Sequence, residues 1–260
     1  FGHIVNDYAD REVDRAAGKQ KVLANWSEAA ALTAVALPCL ATLGIAWTLF
    51  DGTTFALTVA SVLVGAFYSL PPIRLKERGV LGLAGAVVAQ RTLPQAIAFQ
   101  AFHVWDISAV LMCVLSTLIG LRYIIVHQVE DRQNDLRSGV RTVATQRAPQ
   151  DLLKLLYQIF YLEAGCACAT MAAMSYYAPA LAAVAIVYAI SLYVWHRLGN
   201  ALSPASYSIL SNFYYAIWPI ALAVLIAVRD PVFLIAVVAS AAIGSIRPRY
   251  RVAMAGLKRR

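Results

Sequence analysis

The chain alternates long apolar stretches with short polar connectors. Apolar runs of about 17 to 25 residues, the length a helix needs to cross a hydrocarbon core, can be drawn at 27–49, 53–70, 80–102, 105–128, 152–175, 177–195 and 208–228, with a shorter one at 232–246. In lipid the backbone must satisfy its own hydrogen bonds, so runs of this length predict helices. The expected fold class is all-α, a polytopic transmembrane helical bundle of about eight spans. The connectors are too brief for a separate soluble domain, and residues 1–260 are expected to form one membrane-embedded domain. Phe1 to Val5 read as the last turn of a helix begun earlier.

Composition supports the pattern. The 260 residues are 60% hydrophobic and only 14% charged, with a mean hydropathy of +0.65, too apolar to cover a soluble surface. A net charge of +8 would suggest nucleic acid in a soluble protein, but its distribution argues otherwise. All of the 22 Lys and Arg residues except Arg91, Arg122 and Arg229 fall on the side of the membrane that holds residue 6. The positive-inside rule makes that side cytoplasmic, which predicts a multi-pass protein of the cell inner membrane. No nucleic-acid partner and no obligatory protein partner is expected. Cys39, Cys113, Cys166 and Cys168 all lie inside apolar runs and read as small packing residues.

Against this background two acidic clusters stand out. The first, Asn6, Asp7, Asp10 and Asp14, reads NDxxDxxxD; the second, Asp131 and Asp135, reads DxxxD and follows the fourth run. If each continues a helix, its members share one face at spacings of three and four, where like charges repel by roughly 0.2–0.5 kcal/mol per pair. Something cationic should compensate. Neighbouring Arg11, Arg15, Arg132 and Arg137 offer the plain answer of solvated helix ends. Both clusters lie on one side of the membrane, however, and facing carboxylates suit Mg2+, which commonly bridges carboxylates to substrate phosphates. Between them, "YSLPPIRLKERG" stops a helix at Pro71 and Pro72 and presents Arg74, Lys76 and Arg78, cations able to take up diphosphate charge.

NDxxDxxxD, the YSxPPxRxK loop and DxxxD, in that order, resemble the UbiA superfamily of intramembrane prenyltransferases. The resemblance implies a helical bundle around a lipid-open cavity, capped by Mg2+ and a prenyl diphosphate between the two acidic motifs. It assigns metal binding to Asn6, Asp7, Asp10, Asp14, Asp131 and Asp135, and diphosphate contact to Tyr68, Arg74 and Lys76, with Asn6 also touching substrate. Asp10, Asp131, Asp135, Lys76 and Arg74 are the expected catalytic residues. The implied reaction transfers a prenyl group to a lipophilic, aromatic acceptor within the membrane. It also implies that the family's first helix and most of its second lie before Phe1, and that four runs follow the second motif where the family has three. "DRAAGKQKVL" lacks the Arg-Pro pattern of the quinone and chlorophyll branches.

Single charges inside the runs are weighed separately, since each costs about 2.5–3.5 kcal/mol at the bilayer centre. Arg91 should face either the cavity and a polar acceptor group or a partner such as Glu163. Arg122 and His127, below Asp131 on one helix, are candidates to line the cavity, His127 also as a hydrogen-bonding support for the metal ligands. The aromatic run "NFYYAIWP", 212–219, suits membrane packing or a prenyl chain. The rival readings are a transporter, whose charges belong deep in the bilayer in repeated halves, and another membrane enzyme of diphosphate chemistry.

Overall fold

The computed structural model describes residues 1–175, apart from 17, 19, 20 and 138, together with isolated positions between 183 and 238. The chain divides into two units, Phe1–Ala173 and Met174–Arg260, and every site residue named above lies in the first. No strand occurs among the described residues. Helices α1 (Gly2–Ala9) and α2 (Arg11–Ala16) lead into a 3-10 turn at Val22–Asn25, followed by α3 (Glu28–Leu49) and α4 (Gly52–Ser69). After a second 3-10 turn, Leu75–Glu77, come α5 (Val80–Val87), α6 (Leu93–Ala101), α7 (Ile107–Arg137), α8 (Val143–Gln146) and α9 (Pro149–Ser175).

The apolar runs become helices at points set by polar caps. Ser27 Oγ accepts from the Ala30 N–H at 3.3 Å, Asp51 Oδ1 from Thr54 at 2.6 Å, and Asp106 Oδ1 from Ala109 at 2.9 Å, so α3, α4 and α7 each start on a side chain that satisfies an orphan backbone donor. Among the described residues four segments are long and apolar enough to cross a membrane: Glu28–Leu49, Gly52–Ser69, Ile107–Arg137 and Pro149–Met174. They match four of the eight predicted runs. The run expected at 80–102 is built instead as α5, a π-turn at Val88–Thr92 and α6, end to end. Pro94 explains the turn: it has no N–H, and its ring crowds the carbonyl four residues back. The backbone widens there, and Leu93 N–H reaches Val88 O. The runs at 177–195, 208–228 and 232–246, and the aromatic 212–219, lie outside the described residues.

Within the first unit α1 packs on α3 and α4, α4 on α6, and α5 on α7. Leu83 and Val87 of α5, Ile125 of α7, Val143 of α8 and Leu156 of α9 meet in one buried apolar cluster. An ion pair is also buried in this unit. Arg122 is 2% exposed and Glu163 1%; Arg122 Nε donates to Glu163 Oε2 at 2.6 Å and Nη2 to Oε1 at 3.1 Å, tying α7 to α9. Glu163, one of the two surroundings expected for Arg91, is held in this fork by Arg122. Arg91 leaves the π-turn with its stem across Gly120, where a Cβ would stand 2.7 Å from Arg91 Cγ, and its guanidinium sits 5.8 Å from the centroid of the Tyr123 ring.

A two-point charged fork removed from water is far more costly to break than to replace. Arg122→Met or Glu163→Gln alone is expected to lower stability by about 3–5 kcal/mol, because each leaves its partner buried and uncompensated. The double variant Arg122→Met/Glu163→Leu should recover most of the loss. Thermal unfolding of the purified protein in detergent checks both.

Candidate active site

The first acidic motif does not lie on one unbroken helix. α1 ends at Ala9, Asp10 takes φ −98° and ψ 1°, and α2 begins at Arg11. The i-to-i+4 ladder still crosses the joint, with Asp10 N–H on Asn6 O at 3.0 Å and Asp14 N–H on Asp10 O at 2.8 Å. The motif is therefore bent at Asp10 while staying continuous.

Its compensating cations come from elsewhere in the chain. Lys76 Nζ donates to both Asp10 carboxylate oxygens at 2.6 Å and to Asn6 Oδ1 at 3.2 Å; Ser69 Oγ also donates to Asn6 Oδ1, at 3.1 Å. Arg74 Nη2 lies 3.4 Å from Asp10 Oδ1 and 2.6 Å from Glu77 Oε1, and Lys21 Nζ donates to Asp7 Oδ1 at 3.1 Å. Two of the neighbouring arginines, Arg11 and Arg132, are engaged otherwise. Arg11 pairs with Glu28, whose other oxygen accepts from the Tyr8 hydroxyl at 2.6 Å. That bond, with a smaller contribution from burial, pushes the Tyr8 phenol above its ordinary value. Arg132 Nε donates to Ala144 O at 2.8 Å. Simple neutralisation along the same helix is thus not what these two arginines do.

The basic loop reaches Asp10 because glycines let its backbone approach α5. At Gly82 a Cβ would stand 2.4 Å from Leu75 O, so the turn Leu75–Glu77 lies directly on the helix only where there is no side chain. Gly79, at φ +54°, donates its N–H to Arg141 O at 2.9 Å and lies beneath the Gln146 amide. Tyr68, at the end of α4, packs against the buried cluster and beside Gly85.

The second motif occupies the last turns of α7, which runs beyond the predicted 105–128 to Arg137. His127 Nε2 stands 3.6 Å from Asp131 Oδ2 and Nδ1 stands 3.9 Å from Glu130 Oε2, with His127 65% exposed. Asp14 is buried. The structure thus joins Asn6 and Asp10 directly to Lys76 and Arg74. It ties Asp131 and Asp135 to the same loop only through the segment after α7, where Val140 N–H meets Asp135 O at 2.9 Å. Sequence reading missed Ser69, Lys21, Gly79, Gly82 and Gln146. The run of Gly after a charged loop was the visible signal for Gly79 and Gly82.

Among the described residues no three His, Cys, Asp or Glu side chains converge as a ready-made metal cluster. The groups present nonetheless suit a cation shared with a phosphate. Asn6, Asp7 and Asp10 offer hard oxygen donors on adjacent turns, and beside them the buried Arg74 Nε has no hydrogen-bond partner.

Residues 1–215 match the model of the UbiA prenyltransferase family. The chain is also 29% identical, over 147 residues, to the bacteriochlorophyll synthase 34 kDa chain of Chloroflexus aurantiacus, a match covering 56% of this chain and 47% of that protein. The chain thus spans about half the length of the curated relative it matches. No solved structure matches.

Close backbone approach at Gly82 has a measurable consequence. Gly82→Ala is expected to cost about 1–3 kcal/mol, because the new methyl meets a backbone carbonyl that cannot rotate away. Gly44→Ala, in α3 with nothing within 4 Å of the added Cβ, should leave stability unchanged or raise it by up to about 1 kcal/mol. Unfolding midpoints of the two variants in the same detergent check the contrast.

Proposed function

Because the chain belongs to the UbiA prenyltransferase family, we propose that it transfers a prenyl group from an allylic prenyl diphosphate to a lipophilic, electron-rich acceptor inside the membrane, releasing diphosphate. The observation that carries this reading is the ion-paired constellation of Asn6, Asp10, Lys76 and Arg74, four residues from two distant segments held within hydrogen-bond reach. Their types and order are those of the family's acidic motif and diphosphate loop. Four apolar helices of spanning length suit a reaction on lipid-soluble substrates.

Asn6, Asp7 and Asp10, with Asp131 and Asp135 of the second motif, would hold Mg2+. Bound there, the ion supplies Lewis-acid neutralisation of the diphosphate. Asp10 holds Lys76 at the lip of the site, so the ammonium is in place before substrate arrives and needs only to exchange one oxygen partner for another. Arg74 is partnered at Nη2 and its buried Nε has no hydrogen-bond partner, so a small shift of the side chain on binding would bring a guanidinium donor to a phosphate oxygen. As the allylic carbon–oxygen bond breaks, its electron pair goes to the diphosphate, and Lys76 and Arg74 face the charge that develops there. The acceptor's electrons then bond the allylic carbon, and a proton leaves the acceptor. Apolar walls keep out the water that would otherwise capture the allylic cation. The acceptor is left as a chemical class: the relative is a bacteriochlorophyll synthase chain, while this chain lacks that branch's Arg-Pro pattern.

Asp10→Asn and Asp131→Asn are each expected to lower Mg2+-dependent turnover by at least about 100-fold, and Lys76→Ala by a similar factor, the scale of one lost charge-stabilising group. Membranes carrying each variant of the full-length protein are supplied with prenyl diphosphates of several lengths and a panel of phenolic, quinonoid and sugar-phosphate acceptors. Prenylated lipid is read by mass spectrometry and diphosphate release by colour assay. Equal insertion with undiminished turnover in the aspartate variants would sink the metal assignment. Absence of both products from the unaltered protein would favour the transporter reading.

A further inference from the structure

The two acidic motifs sit on different helices, yet one chain of contacts runs between them through a segment that carries no expected catalytic group. On the α7 side, Gln128 Oε1 accepts from the Val143 N–H at 3.1 Å and Arg132 Nε donates to Ala144 O at 2.8 Å, each residue being one turn from its neighbour in the second motif's helix. Val143 is 1% exposed and Ala144 is fully buried, so this short turn is set into the core. It is also internally rigid. Thr142 and Thr145 cap it reciprocally, Thr142 N–H on Thr145 Oγ1 at 2.9 Å and Thr145 N–H on Thr142 Oγ at 3.2 Å.

The other side of the same turn grips the basic loop. Gly79 donates to Arg141 O at 2.9 Å, and the Gln146 amide lies where a Gly79 Cβ would be, 2.5 Å from its Oε1. Three residues before Gly79, Lys76 reaches Asp10 at 2.6 Å. At Lys76 itself the loop is pressed on Gly82, where a Cβ would meet Leu75 O and the Lys76 backbone, so it has little slack.

We propose that the segment Arg141–Gln146 is a brace through which the helix of the second acidic motif sets the position of Lys76 over the first, with Gln128 and Gln146 as positioning residues. The inference rests on the reading of Lys76 as a diphosphate ligand. Neither glutamine touches substrate; Gln128 holds the brace to α7, and the Gln146 amide packs over Gly79, where the Gly79 N–H meets Arg141 O and joins the loop to the brace. A fixed Lys76 meets the diphosphate without first surrendering loop freedom, and preorganisation of this kind is read as affinity.

The test is a double-mutant cycle on the full-length protein in lipid nanodiscs, with inorganic pyrophosphate and Mg2+ as the probe and calorimetry as the readout. Gln128→Met is expected to weaken pyrophosphate binding about tenfold, within the range of couplings between groups in one network. In a Lys76→Ala background the same change should alter affinity by less than about twofold, because the residue it positions is gone. Gln128→Glu, which keeps an acceptor oxygen for the Val143 N–H, should restore most of the affinity in the presence of Lys76. Gln146→Ala, at an exposed position that poses no risk to folding, should repeat the cycle. Equal effects with and without Lys76 would overturn the brace, since a general loss of structure acts on both backgrounds alike. No Mg2+-dependent pyrophosphate binding by the unaltered protein would overturn the diphosphate reading itself, and the brace with it.

Discussion

A charge enclosed by apolar helices has to be matched where it stands, because there is no water there to screen it. That constraint organises the structure at two depths. In the interior the fully enclosed Arg122 meets Glu163 in a two-point fork across α7 and α9. At the helix ends the acidic motif meets cations brought from sixty and more residues away, Arg74 and Lys76 on Asp10. The helices in between are arranged so that these pairings close: α4 delivers the basic loop beside α1, and α7 delivers the turn that holds the loop's far end.

The two kinds of pair have different energetic characters. Arg122 and Glu163 lost their hydration on folding, and their mutual attraction chiefly offsets that cost, so the pair specifies which helix faces meet more than it adds net stability. Asp10 and Lys76 keep part of their surface, at 22% and 15% exposure. A half-open pair can exchange partners without stranding a buried charge. A structural tie belongs in the first setting, and a group that is to bind an ion and release it belongs in the second.

Much of this was legible in the sequence, and the reasons divide along physical lines. Apolar run lengths found α3, α4, α7 and α9 because span length is a property of composition alone. Motif spacing brought Asn6 and Asp10 together with Arg74 and Lys76 because those residue types have few uses in combination. What spacing could not give was the partner of a single buried charge. Arg91 and Arg122 both sit within apolar runs, and that Arg122 forms the two-point fork with Glu163 while Arg91 lies across Gly120 and beside the Tyr123 ring is set by helix packing that no motif encodes. The bend at Asp10 was invisible for a similar reason, since the i-to-i+4 hydrogen bonds continue across it. Gln128, Thr142 and Gln146 were hidden because they act through backbone groups, and a backbone partner leaves no residue type to recognise.

The division of labour between depth and edge also accounts for why a prenyl transfer would be placed at these helix ends. Its leaving group is among the most strongly hydrated anions a protein handles, and the allylic cation it leaves behind is destroyed by water. A site deep in the bundle would protect the cation but leave the diphosphate's charge to be met entirely by buried groups, at the cost seen for any isolated ion in an apolar medium. A site in open water would do the reverse. On the proposed reading, helix ends that carry Asp10, Lys76 and Arg74 would let one molecule present its anionic head to fixed charges and its hydrocarbon tail to apolar helix surface. The loop must then be held still without adding charge to the apolar side, and glycines with backbone hydrogen bonds, as at Gly79 and Gly82, are the means that leave no further ion to be matched.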